Sequence, residues 1–436
     1  MKVVVVGAGP VGIVTALGLA RDGHEVTVVD RDPGPAADGT WQRKGVMQYL
    51  LPHFWRHIVR QCLAEDLPDV WDALVAAGGR PLTPPGAPGF ITALAARRST
   101  VETALRGVLA QEPNVRTVTG HAEDVVVDGG RARGVRVDGT TIDADLVVDA
   151  GGRASRFAAA HRPPMESSSC GQAYVSRMFR ARPGVEPLDS PTPIGAFSDR
   201  YLTIVFPQDA GTHSALIVRA DDDAALAKVR DDAAYQAVTA LIPNLAPWTD
   251  LERFEPITPA MAGAGLTNAW GTQLGEDGEP ALPGLVWIGD TILTTNPSAG
   301  RGVSTGLMQA RRLHQLLREH SDVRDVSTAL ESWAVEQLKP WYDDHVIWDR
   351  NLVARYSGGD IDVDGTLSGD IYCDAAAVVP ELAPLVPQYF AMMMLPTGWL
   401  PFADKVRAVL RDGWRPPLAE GPSYDELALA VERVAA

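Results

Sequence analysis

The hydrophobic positions of this chain fall into two rhythms. Short β-branched runs, too brief to cross a membrane and bounded by glycine turns, have the pattern of strands buried on both faces. Lys2–Val6 is the first, residues 25–29 the second, residues 146–148 a third and residues 285–288 a fourth. Between the first two lies an apolar stretch at helical spacing (Val14, Ala16, Leu17, Leu19, Ala20), closed by an Asp22-Gly23-His24 turn. Helical spacing also predicts helices over residues 53–77 (Phe54, Ile58, Leu63, Leu67, Val70, Leu74), 224–241, 302–319 and 328–356. Another follows Arg97, with Val101, Leu105 and Val108 inward and Ser99 or Thr100 able to cap it.

Period-two runs supply further strands. Residues 115–119, 122–127, 134–137 and 141–142, separated by Gly-rich turns, predict a small antiparallel meander. Residues 173–180, 201–206 and 214–219 predict a mixed or antiparallel sheet of a different domain. The segment 31–41 and the Gly/Pro-rich segment 78–89 read as loops. The fold class is therefore α/β: a Rossmann-like nucleotide-binding domain over 1–165 and 260–320, an inserted β-sheet domain over 166–259, and a helical C-terminal region over 321–436.

Composition narrows the function classes. The 436 residues are enough for two or three domains, and 46% hydrophobic with 22% charged is ordinary for a globular protein. A net charge of −16 repels nucleic acid and anionic membrane surfaces. Cys62, Cys170 and Cys373 form no metal-ligand pattern, nor do the histidines, so free thiols in a reducing compartment and no metal are expected. No apolar run suggests a transmembrane segment, and the strand starting at Lys2 leaves no room for a signal peptide, so the expected location is cytoplasmic.

The chemistry starts at Gly7-Ala8-Gly9-Pro10-Val11-Gly12, which sits between the first strand and helix. Gly7 permits the tight turn, Gly9 lets backbone approach a pyrophosphate, and Gly12 lets helix and strand pack closely. Asp30, ending the second strand, sits where a ribose hydroxyl is bound. Alone, this motif leaves FAD and a nicotinamide cofactor equally open. Arg43, soon after the ribose-binding strand, can face phosphate or flavin, or be one of a solvated pair with Lys44. A late stretch adds more. Residues 285–288 deliver Gly289-Asp290 at a strand end, and Asn296-Pro297-Ser298-Ala299-Gly300-Arg301-Gly302 opens a helix whose amide groups suit an anion.

With GxGxxG near the start, an arginine-led helix at Arg98, a strand ending near residue 150 and the late Gly-Asp and Asn-Pro-x-x-Gly-Arg-Gly stretch, the chain resembles the FAD-dependent monooxygenases of the para-hydroxybenzoate hydroxylase fold, in the branch of styrene and squalene epoxidases and natural-product hydroxylases. The resemblance covers about the first 320 residues. It implies FAD held by Gly7, Gly9, Gly12 and Asp30 at its adenosine end, with Arg98 on phosphates or flavin. Asp290 would bind the ribityl or pyrophosphate region, and Pro297, Gly300 and Gly302 would line the isoalloxazine; Arg301 would face flavin or substrate, or be a solvated helix-start residue.

The implied reaction is hydroxylation or epoxidation of a hydrophobic or aromatic small molecule by molecular oxygen, through a flavin hydroperoxide. No catalytic residue is implied, because the cofactor does the hard step. One departure stands out. Many members carry an Asp-Gly pair after the mid-chain strand, linked to FAD and NADPH, whereas this chain has Gly151-Gly152 with Asp149 before and Arg153 and Arg156 after. Electrons from NADH or NADPH can thus arrive directly or through a separate flavin reductase. A reductase of the geranylgeranyl type and a non-catalytic flavoprotein remain alternatives. A flavin-dependent halogenase fits less well, since the Gly-Trp-x-Trp-x-Ile-Pro stretch is absent.

Tyr174 and Ser176 share a strand face as candidate substrate contacts, with Arg177 on the other face. Residues 392–394 and the tail aromatics suit core packing or an apolar lid.

Overall fold

A computed structural model describes residues 1–43, 45–83 and 91–435. Lys44 and residues 84–89 of the expected 78–89 loop lie outside the described residues. Five parallel strands form the first sheet in the order Leu285–Trp287, Leu146–Asp149, Lys2–Val6, Glu25–Asp30, Val115–Thr119. Side chains alternate across it, as strand geometry requires. Val3, Val5, Val26, Val28 and Val148 face a core shared with the helices Pro10–Arg21, Arg98–Leu109 and Gly302–Glu319. Val4, Val6, Val29, Val147 and Trp287 face a second core beneath the meander and Tyr342. Each such valine, almost wholly buried, contributes roughly 1.5–3 kcal/mol.

Several sequence expectations are corrected here. Val115–Thr119 is not part of the meander; it pairs in parallel with Glu25–Asp30 and forms the sheet edge. The meander is Ala122–Asp128, Arg131–Val137 and Thr140–Asp143. Neither Ser99 nor Thr100 caps the helix Arg98–Leu109, because Arg97 occupies that position and the Thr100 hydroxyl donates to Asp209 at 2.6 Å. The 224–241 segment breaks at Asp231, whose carboxylate caps the helix Asp232–Thr239. The 328–356 segment likewise breaks at Leu338, just before Pro340, into Val323–Gln337 and Lys339–Tyr356. Residues 53–77 are two helices, His57–Asp66 and Pro68–Ala76.

The second sheet is antiparallel, ordered Ile194–Phe197, Leu202–Pro207, Thr212–Ala220, Gln172–Ala181, Phe254–Pro256, with Met261–Gly263 also on Gln172–Ala181. Val175 and Phe179 face a core with Tyr235, Trp248 and, from the C-terminal helix Tyr424–Ala435, Leu427 and Val431. The opposite face, carrying Tyr174, Ile204, Phe206 and Leu216, looks toward Leu51, Phe54, Trp348 and Tyr356. This sheet is pinned to the nucleotide-binding part by Asp209, which accepts from the Arg97 amide at 2.6 Å and from its guanidinium at 2.8 Å. The tail aromatics form a core of their own with Trp341, Tyr372, Tyr389, Met392 and Trp399, while Met393 is exposed. That is packing, not a lid. Among the described residues no helix is long and apolar enough to cross a membrane, and no group of His, Cys, Asp and Glu is arranged to hold a metal ion.

Candidate functional site

Three neighbouring parallel strands end at Val6, Asp149 and Trp287, and each leads into glycine. Their carboxyl ends define the crevice where open α/β sheets bind ligands. Gly7 has φ +102°, and a Cβ there would lie 2.6 Å from the Ala150 carbonyl oxygen. A Cβ on Gly12 would collide with the Gly7 carbonyl. A Cβ on Gly9, by contrast, would meet nothing, so its backbone is open to close approach. The opening motif also grips the late one. Val11 packs against Gly289, and a Cβ on Gly306 would run into it. The helices Pro10–Arg21 and Gly302–Glu319 cross where Gly18 meets the His314 ring, whose Nε2 lies 3.1 Å from the Thr15 carbonyl oxygen.

At the far end of the crevice, Asp30 accepts from the Ala8 amide at 2.6 Å and the Asp32 amide at 2.8 Å, and pairs with Arg43 at 3.3 Å. Arg43 also donates to the Ala8 carbonyl at 3.1 Å and to Glu102. Glu102 is wholly buried and takes a second guanidinium, that of Arg98, one helical turn away. Arg43 and Arg98, chosen separately in the sequence, therefore meet on one carboxylate. The solvated alternative for Arg43 is excluded by its burial. Arg98 Nη1 lies 3.1 Å from His53 Nε2, while His53 Nδ1 is 3.0 Å from the Leu51 carbonyl. Burial and the Arg98 charge push the His53 pKa down to about 3, so the neutral ring donates from Nδ1 and accepts at Nε2. Trp41 completes this end, with Arg43 and Arg106 5.4 and 5.6 Å from its ring centroid.

Asp290 is the informative residue of the late stretch. Its carboxylate has no hydrogen-bond donor among the described residues, and burial raises its pKa against the opposing pull of Arg98 and Arg153. A Cβ on Gly302 would lie 3.4 Å from its Oδ1. Glycine thus keeps the helix start open beside an acceptor without a protein partner. The loop that follows is held by a buried network. Asn296 donates from its amide to Asn268 at 2.7 Å, accepts from the Ser298 amide at 3.0 Å, and donates from its side chain to Asp349 at 2.7 Å. Asp349 also accepts from Gln172 at 2.8 Å and Asn268 at 2.7 Å. These bonds set the turn Pro297–Ala299, after which Gly300 takes φ +62° with its α-carbon face against Phe54. Arg56 supports the same loop from below, donating to the Ala299 and Gly300 carbonyls.

Arg301 departs from its neighbours. Its side chain is fully buried, so it is neither a solvated helix-start residue nor on the open crevice. The guanidinium sits 4.5, 4.8 and 5.2 Å from the centroids of Trp341, Tyr389 and Trp348, and 3.3 Å from Asp344. Cation–π attraction and one carboxylate draw it into the C-terminal region.

The Gly151-Gly152 departure has a structural account. Asp149 is fully buried and already accepts from the Gly151 amide at 2.9 Å, Ser155 Oγ at 3.1 Å and Arg162 at 2.7 Å. It fixes the turn and presents no free oxygen to a ligand. Arg153 is exposed beyond it, close enough to act on both Asp290 and the Tyr174 hydroxyl. Tyr174 and Ser176 are buried on the inward face of the second sheet, paired in register with Val218 and Leu216. Arg177 points to the opposite face and donates to Asp232 at 2.9 Å.

Sequence reasoning missed Glu102, Asn268, Gln172 and Asp349. Only Glu102 left a local signal, four residues after Arg98 on one helix. The residues present fit FAD: glycines that leave backbone bare, an acceptor without a partner at Asp290, and a helix start kept open at Gly302.

The fold and the crevice together define an α/β protein whose parallel sheet carries a dinucleotide-type crevice beside a separate antiparallel sheet. Residues 2–93 match the family of FAD dependent oxidoreductases. D-amino acid dehydrogenases of Sinorhizobium medicae and Rhizobium johnstonii are 49% and 51% identical over 49 residues, 11% of this chain and 12% of each of those proteins. The chain thus spans about an eighth of the curated relatives it matches.

Solved structures match far more of the chain, at low identity. The flavin-dependent brominase Bmp2 has a TM-score of 0.62 at 14% identity, over 94% of this chain and 99% of that one. PqsL of Pseudomonas aeruginosa, described as a probable FAD-dependent monooxygenase, has 0.60 at 16% identity, over 82% and 98%. An oxygenase of 2-methyl-3-hydroxypyridine-5-carboxylic acid has 0.58 at 16%, over 83% and 93%. The shared property is the fold.

Proposed function

We propose that this protein is an FAD-dependent monooxygenase that hydroxylates or epoxidises a hydrophobic or aromatic small molecule. The observation that carries the reading is the aromatic face of the second sheet, packed against Phe54, the residue that Gly300 of the loop 296–302 also faces. Tyr174, Phe206 and Leu216 from the sheet, Phe54 from the nucleotide-binding part and Trp348 and Tyr356 from the long helix form one apolar cluster there. Bound FAD supplies electron transfer and oxygen chemistry. The chain's own residues do the rest. Gly7, Gly9 and Gly12 leave backbone bare to the pyrophosphate, and Asp290 accepts from hydroxyls of the linker. The amides of Gly300 to Gly302 favour negative charge at the helix start, and the aromatic cluster excludes water and orients the substrate.

Electron supply is the finer question. With Asp149 consumed inside the turn, the reading favours reduction by a separate flavin reductase that uses NADH or NADPH. Anaerobic reduction of the purified holoprotein by either nucleotide, with and without an added reductase, tests this. Fast unaided bleaching of the flavin absorbance overturns the two-component version. Product mass tests the reaction class: one added oxygen supports it, whereas two added hydrogens favour a reductase and an added halogen a halogenase.

A further inference from the structure

Behind the loop 296–302 lies a buried set of hydrogen-bonding groups without partners. Arg301 leaves Nε and Nη2 unpaired, His345 leaves both ring nitrogens unpaired, and Trp341 leaves Nε1 unpaired, all among the described residues and all in side chains wholly shielded from solvent. They are neighbours. Trp341 and Trp348 flank the Arg301 guanidinium at 4.5 and 5.2 Å, and the His345 ring stacks on Trp348 at 5.5 Å. The charges of Arg301 and Arg56 both act on His345 and, with burial, hold it neutral.

The charge balance is uneven. Arg56 uses its guanidinium on the carbonyls of Ala299, Gly300 and Phe390 and has no carboxylate at ion-pair distance among the described residues. Among the described residues Asp344 is the only carboxylate so placed for Arg301, and it is shared with the Tyr389 hydroxyl and the Gly369 amide. Two buried guanidiniums therefore face one carboxylate. An unpaired buried charge is costly, and so is each buried donor left without an acceptor. A single monovalent anionic group beside Arg301 and His345 would remove both penalties. Trp348 joins that position to the aromatic cluster of Phe54, Tyr174 and Tyr356, into which the same indole packs.

We propose that Arg301, His345 and Arg56 form a receptor for a monovalent anionic group behind the loop 296–302. The group is either the carboxylate of an aromatic substrate or a small inorganic anion. The first alternative rests on the proposed monooxygenase reading and names its substrate class; the second stands without it.

The test uses the oxidised holoprotein, with no electron donor, and so does not depend on turnover. Sodium benzoate and sodium bromide are titrated separately at constant ionic strength while tryptophan fluorescence and the flavin spectrum are recorded. The receptor requires a saturable change with at least one anion, weakened at least tenfold in Arg301→Gln and in His345→Leu. Retained FAD and an unchanged unfolding temperature show that a variant is folded. Should Arg301→Gln fail to fold, His345→Leu carries the comparison alone.

Saturation by benzoate without competition from bromide assigns the site to a substrate carboxylate. Saturation by bromide alone assigns it to an inorganic anion. Either result supports the receptor. No saturable change with either anion, or equal binding by wild type and the folded variant, overturns it. Failure here leaves the monooxygenase reading intact, since product mass judges that separately.

Discussion

The two ends of the cofactor crevice are built by opposite strategies. At the end built by the opening motif, Lys2 to Asp30 is one continuous strand–turn–helix–strand whose main internal contacts, Gly12 on the Gly7 carbonyl and the Ala8 amide on Asp30, are local, with Ala150 closing on Gly7 from outside. At the other end, the loop 296–302 is short and owes its shape to Asn268, Gln172, Asp349 and Arg56, drawn from four separate places in the chain. The first end is a local motif. The second is a tertiary assembly, and damage to each should have a different signature.

The largest effect is expected from Gly12→Val. Its side chain would meet the Gly7 carbonyl, so we expect loss of FAD and of ADP binding together with about 3 kcal/mol of stability. Calorimetric titration with ADP and thermal unfolding would show both. Asp349→Ala should break the opposite end. It strands the amides of Gln172, Asn268 and Asn296, costing about 2–3 kcal/mol. ADP binding should survive while FAD affinity falls at least tenfold. Equal loss of ADP in both variants would erase the contrast between the two ends.

Asp349 also adds a pH signature. Burial raises its pKa to about 6, above the value of an unfolded carboxyl near 3.9, so the folded chain holds an extra proton between these limits. Its contribution to stability is complete below about pH 4 and is lost as pH rises through 6, by roughly 2–3 kcal/mol. The unfolding temperature of wild type minus that of Asp349→Asn should therefore fall from pH 4 to pH 6.5. A flat difference would place the titration elsewhere.

The smallest effect is expected at the pin between the two sheets. Asp209→Ala removes the acceptor of Arg97 and Thr100, and denaturant unfolding should lose about 1–2 kcal/mol with FAD content unchanged.

The same contrast explains what the sequence made legible. Lys2 to Asp30 could be read because strand period, glycine spacing and the terminal acid all act within one supersecondary unit. Leu146–Asp149 and Gly302–Glu319 were legible for a similar reason, an uninterrupted pattern with clear ends. Val115–Thr119 was misplaced because a strand's partner is not encoded in its own alternation; its exposed–intermediate pattern suits a meander and a sheet edge equally. The Asp349 network was invisible because its partners lie 53, 81 and 177 residues away. Arg301 was visible as a residue but not as a direction. Its cage comes from Trp341, Trp348 and Tyr389, which read in the sequence only as tail aromatics.

We propose that the two motifs clasp opposite ends of one FAD, with Asp290 in the late one as its acceptor. The most direct measurement is flavin content and affinity in purified wild type and Asp290→Ala, by absorbance and by rebinding of FAD and ADP to the stripped protein. Stoichiometric FAD is expected in wild type and, in Asp290→Ala, FAD affinity reduced about tenfold or more with ADP affinity unchanged. Unchanged FAD affinity in Asp290→Ala would contradict it.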